Sequence, residues 1–233
     1  MSLKMRKMVT RGGIFFFLAP VLLVLSSASF LRAEDMPSAA QARIVSSEGD
    51  VTVKTSAGSM TATKGAMLDQ GAEIMVGENS SSLITLGEGR KSSITVDGGS
   101  DLMLTSLDPV KINLKSGKLV ALVTGLTEGS TFQVITPTAT ATARGTKFLI
   151  TDGVIAVLEG LVDVETGGQT IQVGANQQLS TGEGSSGTVT GIDTANANDI
   201  DNASEAASAE SGSAGAQESN NDAQTNAQIS ATP

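Results

Sequence analysis

From Arg43 to Leu179 the chain keeps returning to one theme: three to six residues rich in Val, Ile, Leu and Thr, then a turn rich in Gly, Ser, Asp or Asn. The apolar runs begin at Val51, Ile74, Leu83, Ile94, Leu102, Ile112, Leu119, Phe132, Phe148, Val154, Leu161 and Ile171. Starts about every ten residues are the spacing of an all-β sandwich, barrel or solenoid. Runs such as Ile94-Thr95-Val96, Ile112-Asn113-Leu114 and Val162-Asp163-Val164 alternate, so one face is buried and the other wet. Leu119 to Val123 and Val154 to Leu158 are nearly continuous and are expected in the middle of the packing. The reading is all-β: a β-solenoid or β-roll, or a sandwich of many short strands, over residues 43–181. Helical periodicity is absent apart from a short turn near Thr63 to Asp69.

The turns support the same reading. Asp97-Gly98-Gly99, Ser116-Gly117, Asp152-Gly153, Glu159-Gly160 and Gly167-Gly168, with Glu88-Gly89 and Glu128-Gly129, supply the positive-φ positions of tight reversals. Phe132 and Phe148 are the only aromatic residues of this region, so its core must be aliphatic. Met60, Met67, Met75 and Met103 read as core filler.

The two ends differ from the middle. Lys4, Arg6, Lys7 and Arg11 precede an apolar run from Ile14 to Leu25 and then small residues, the layout of a secretory signal peptide over 1–33. Cleavage is expected after Ala33 or, alternatively, Ala28. The apolar run is short of the roughly 20 residues of a membrane span, so no integral span is expected after processing. Residues 182–233 hold eight acidic and no basic side chains among Ala, Ser, Asn and Gln, too few apolar groups to offset chain entropy. A disordered tail is expected there.

Missing residue types narrow the function. There is no cysteine, histidine, tyrosine or tryptophan. Disulfides, thiolate metal sites, histidine general bases and Ser-His-Asp triads are all excluded, and aromatic stacking platforms lose their usual residues. The chain carries a net −9, and without residues 1–33 ten basic and 24 acidic side chains remain, a formal −14. Nucleic acid is therefore not an expected partner. Carboxylate pairs such as Asp97 with Asp101 or Asp163 with Glu165 read as turn and surface residues. Asp199-Ile200-Asp201-Asn202 lacks the glycine and distal glutamate of a calcium loop. No catalytic residue, cofactor or metal site is expected.

The densest motif is Phe132 to Val164. Pro137 cannot donate to a ladder and restricts Thr136, so the strand before it should end there. Thr138 to Ala143 alternates Thr with Ala, leaving only a thin layer on the Ala face. Gly145, between Arg144 and Thr146, suggests a bulge or close backbone approach, with Phe148 returning to the core. For Arg144 an ion pair with Glu159 or Asp163 is favoured over ligand binding.

Together Thr136-Pro137, Arg144-Gly145-Thr146 with Phe148, and Glu159-Gly160 resemble the signature of the FecR-like domain. The resemblance extends upstream through Lys64 to Ile74, Asn79 to Gly89 and Ile112 to Val123, and covers roughly Ile44 to Val164. It implies an exported, non-catalytic β-module. FecR proteins sense a periplasmic signal, often from a TonB-dependent iron-siderophore transporter, and pass it to a cytoplasmic sigma factor. Only about thirteen residues precede the apolar segment here, and the tail shows no strand pattern. The expectation is therefore a stand-alone periplasmic or secreted module for protein interaction, scaffolding or sensing at the bacterial cell envelope, its partner an envelope protein. A carbohydrate- or matrix-binding surface protein is the runner-up, which leaves a glycan partner open.

Overall fold

A strand with one apolar face needs a second layer, and the chain supplies it by crossing repeatedly between two sheets. The computed structural model describes residues 41–86, 92–126, 129–182 and 187–210, all within the unit Ser38–Pro233. The expected signal peptide and its cleavage sites, the Glu88-Gly89 turn, Glu128 and residues 211–233 lie outside the described residues.

Eighteen strands follow in order: β1 (Ala42–Glu48), β2 (Val51–Thr55), β3 (Gly58–Thr61), β4 (Met67–Leu68), β5 (Glu73–Val76), β6 (Ser81–Leu86), β7 (Ser92–Asp97), β8 (Asp101–Leu107) and β9 (Val110–Ser116). Then come β10 (Leu119–Leu122), β11 (Phe132–Ile135), β12 (Thr140–Ala143), β13 (Lys147–Thr151), β14 (Val154–Glu159), β15 (Leu161–Thr166), β16 (Gln169–Gly174), β17 (Gln177–Ser180) and β18 (Val189–Gly191). They form two nine-stranded sheets. Sheet A runs β18-β17-β14-β13-β10-β7-β6-β1-β4, and sheet B runs β16-β15-β12-β11-β9-β8-β5-β2-β3.

Of the sequence alternatives, the structure is a two-sheet sandwich rather than a closed barrel. It keeps one solenoid property, since from β5 onward strand order in both sheets follows chain order. The chain mostly lays a hairpin in one sheet, crosses, and lays the next in the other. All pairings are antiparallel except β9 with β11, where the chain visits sheet A as the single strand β10 and returns in its former direction.

The inner faces of both sheets share one aliphatic core, including Ile44, Ile84 and Ile94 from sheet A and Ile74, Leu104 and Ile112 from sheet B. Phe132 of β11 and Phe148 of β13 meet across it edge to face, with ring centroids 6.1 Å apart at 81°. Each fully buried large side chain contributes roughly 1.5–3 kcal/mol. The four methionines are not part of this core. Met60 and Met67 are exposed, and Met75 and Met103 fall on half-buried positions that alternate with the inward residues of β5 and β8. An unbranched, flexible side chain suits such outer positions, whereas the regular core is filled by branched ones.

The expectation of a disordered tail from 182 is corrected for residues 189–210. They form β18 and a helix, α1, over 194–210. Asp193 caps it, its Oδ1 accepting the Asn196 N–H at 2.8 Å. Gln178 on β17 accepts from Asp193 N–H and Asn196 Nδ2. The continuous strands explain why a helix forms here. Val120, Leu149 and Ala156 point away from the main core, and Ile200 of α1, fully buried, packs with them. Short Ala-rich helices are marginal alone and persist when one face is docked. Composition hid this because a single isoleucine sufficed.

Lys118 reinforces the docking, with Nζ 2.9 Å from Asp97 and 2.7 Å from Asp199 of α1. Partial burial opposes its charge, but the hydrogen bonds to Asp199 and Asp97 outweigh this and raise its pKa. A raised lysine pKa stabilises fully below the ordinary 10.5 and is lost as pH climbs through the folded value. No helix among the described residues is long and apolar enough to cross a membrane.

Ile200→Asp should free 194–210 for rapid proteolytic trimming while the sandwich keeps a cooperative thermal transition. The wild-type helix should resist cleavage at neutral pH and lose protection above about pH 10.5.

Candidate functional site

The Thr136-Pro137 element is a tight hairpin turn between β11 and β12. Thr136 N–H donates to Ala139 C=O at 2.8 Å, and Ala139 N–H donates back to Thr136 Oγ1 at 3.0 Å. Pro137 stands exposed at its tip, as a residue without an N–H must. In β12 the alanines turn inward: Ala139, Ala141 and Ala143 are buried, while Thr140 and Thr142 face outward.

Arg144-Gly145-Thr146 carries the chain from β12 in sheet B to β13 in sheet A. Glu159-Gly160 carries it back, from β14 to β15. The two corners stack. A Cβ on Gly160 would lie 2.5 Å from Thr146 Cγ2 and 2.8 Å from the Gly145 carbonyl, and its φ is +91°. The close backbone approach expected at Gly145 is thus found at Gly160. Gly145 is required for its own φ of +66°, with open space where a Cβ would be.

The ion pair expected for Arg144 does not form. Glu159 is taken by Lys147 at 2.8 Å, and Asp163 accepts from Gln172 at 2.9 Å. Arg144 is exposed and has no ion pair among the described residues. Lys147 reaches Glu159 because a register shift at Lys147/Phe148 places the two opposite each other, an irregularity that spacing does not reveal. Thr146 is buried, and its Oγ1 has no hydrogen-bond partner among the described residues.

One neighbour of Arg144 escaped the sequence reading. The β12–β15 register ends at Ala143 opposite Val162, so Arg144, which follows Ala143, and Leu161, which precedes Val162, lie at the same end of the ladder. Leu161 is 47% exposed, the most exposed large apolar side chain described. Its other neighbour across the ladder, on β16, is Gly174, which has no side chain to cover it. The apolar run Leu161 to Val164 contained the clue, since alternation puts Leu161 opposite in facing to Val162.

The carboxylates are dispersed among lysines. Asp97 and Asp101 lie on different sheets, the first bound to Lys118 and the second 3.4 Å from Lys115. Lys115 also pairs with Glu73, whose other neighbour, Lys54, is 3.8 Å away. The hydrogen bond from Lys115 lowers the Glu73 pKa and correspondingly raises that of Lys115. Asp199 is held by Lys118, so that acidic cluster is occupied in helix docking.

Residues 72–163 match the family model described as FecR protein. That segment is similar to the FecR domain. The matched segment runs from β5 into β15 and contains both stacked corners. Two crystal structures of a provisionally assigned anti-sigma factor from Parabacteroides distasonis ATCC 8503 are also similar, at 20% and 21% identity and a TM-score of 0.46 each. Each match covers 52% of this chain and 60% of that one. No curated protein matches the chain.

Gly160→Ala should destabilise the domain by about 1–3 kcal/mol or more, the scale of forced backbone strain. Arg144→Ala should change stability by no more than about 0.5 kcal/mol, as for other surface positions. Thermal and urea unfolding of the two variants check the contrast.

Proposed function

We propose that this FecR-domain chain is a non-catalytic regulatory or sensing module that binds a protein partner at the bacterial cell envelope, exported to the periplasm or beyond. The observation that carries it is Arg144. The family signature places a guanidinium at the corner between β12 and β13, and the fold leaves it exposed and without an ion pair among the described residues. Arginine presents a planar fork of donors suited to carboxylates, and beside exposed Leu161 it makes the mixed polar and apolar surface typical of interface anchors.

The remaining features agree with binding rather than turnover. The chain has no histidine or cysteine, and two carboxylate pairs, Glu73 with Asp101 and Asp97 with Asp199, are each shared by one lysine. The basic and apolar pattern of residues 1–25 supports export. The family match supports a regulatory role without naming the signal.

A tagged chain cross-linked in envelope extract should capture a protein that Arg144→Glu loses, with the variant's thermal transition unchanged. Enrichment of glycans without any protein would instead support a carbohydrate-binding role and overturn this reading. Turnover abolished by one Asp or Glu substitution would overturn the non-catalytic assignment.

A further inference from the structure

Two nine-stranded sheets leave four edge strands, and an open edge is a template for another chain unless something blocks it. Three of the four are short. β4 has two residues, β18 three and β3 four. The fourth, β16, has six, Gln169–Gly174. It carries no charge, no proline and no bulge, and it pairs with β15 in unbroken register from Leu161↔Gly174 to Thr166↔Gln169. Within the strand itself, none of the usual sequence protections of an edge is present, and among the described residues only Gly187 comes close, against the Ile171 side chain.

The backbone of β16 points usable groups outward. Gly174 N–H donates to Gln177 Oε1 at 2.8 Å, so at this residue the donor is turned away from β15. An antiparallel ladder alternates, which turns the N–H and C=O of Gln172 and Thr170 the same way. Both residues are exposed, and among the described residues no strand other than β15 pairs with β16.

The surface beside that edge is chemically specific. On the outer face, β15 presents Leu161, Asp163 and Glu165, and β16 presents Gly174, Gln172 and Thr170 opposite them. Gln172 already satisfies Asp163. Two features remain open: Leu161, uncovered across Gly174, and Glu165, exposed across the small Thr170. A strand added to β16 would lie about 9–10 Å from β15, two inter-strand spacings, within joint reach of long side chains leaning over a glycine or a threonine. On the inner side, Ile171 packs against the core with Gly187 close to its Cδ1, so the selective contacts lie on the outer face.

We infer that the β16 edge is a strand-addition site for an extended segment of a protein partner, one that places an aliphatic side chain opposite Gly174 and a lysine or arginine opposite Thr170. Main-chain bonds to Gln172 and Thr170 supply the affinity that does not depend on sequence, and Leu161 and Glu165 select the sequence. The partner residues at those two positions are four apart and share one face. An acidic segment is rejected by Asp163 and Glu165. This inference rests on the protein-binding reading and adds a second contact, separate from Arg144.

The test uses the full chain and a fluorescein-labelled five-residue peptide, Leu-Val-Thr-Val-Lys, with a matched peptide ending in Glu. Anisotropy titration should show saturable binding of the lysine peptide and at least tenfold weaker binding of the glutamate peptide. Gln172→Pro removes an outward N–H without breaking the β15 ladder and should abolish binding with thermal stability retained. Glu165→Lys should reverse the preference between the two peptides. Hydrogen exchange should show Thr170 and Gln172 protected only when the lysine peptide is present.

No saturable binding up to millimolar peptide, or equal binding by wild type and Gln172→Pro, overturns the inference. So does protection of Thr170 and Gln172 without peptide together with a dimer in sedimentation, which would assign the edge to a second copy. If Arg144→Glu loses the captured partner while Gln172→Pro and Glu165→Lys both retain it, the protein-binding reading stands and the edge site falls.

Discussion

The inward faces of two aliphatic sheets must cover each other, and nearly every other feature follows from that. With only two aromatic side chains in the domain, the core is built from Val, Ile, Leu and Ala, and its thickness is set by how closely the two backbones approach. The Ala face of β12 allows a thin layer where Phe132 and Phe148 cross from opposite sheets. Each crossing between sheets needs a sharp corner, and successive corners stack. Gly160 against Thr146 and Gly117 against Ser100 are two such close approaches in the family-matched segment, which is why glycine rather than alanine stands at each.

The same rule explains the helix. Strands β10, β13 and β14 carry apolar residues on both faces, so sheet A has an outer apolar stripe at Val120, Leu149 and Ala156 that water would otherwise meet. Helix α1 covers it with Ile200, and Lys118 ties the helix to the sandwich through Asp199 and Asp97. Continuous apolar strands were visible in the sequence as a demand for a second layer. The layer itself was not visible, because its Ala, Asn and Ser content resembles an unstructured tail and its one fully buried side chain is Ile200, with Ala203 and Ile192 partly buried beside it.

Function lies where the fold leaves groups unspent. Most lysines described are paired with carboxylates, and Lys115 and Lys118 each bridge two of them. Arg144, Leu161 and the β16 backbone differ, since each is exposed on a rigid element and each has chemistry the fold does not use. Rigid, exposed and unsatisfied groups suit recognition, because binding them costs little ordering of the module itself.

Alternation and turn chemistry in the sequence by themselves determined most strands, their inward residues and the Thr136-Pro137 turn, because a period of two and a positive φ are local properties of the chain. Pairing partners were decided only in three dimensions. Glu159 went to Lys147 across a register shift no local pattern encodes, and Asp163 went to Gln172, so Arg144 has no ion pair among the described residues. Likewise, Leu161 is open because Gly174 sits opposite it, and β16 is an edge because the chain next returns to sheet A. Periodicity reports which way a side chain points; only the tertiary structure decides what stands opposite it.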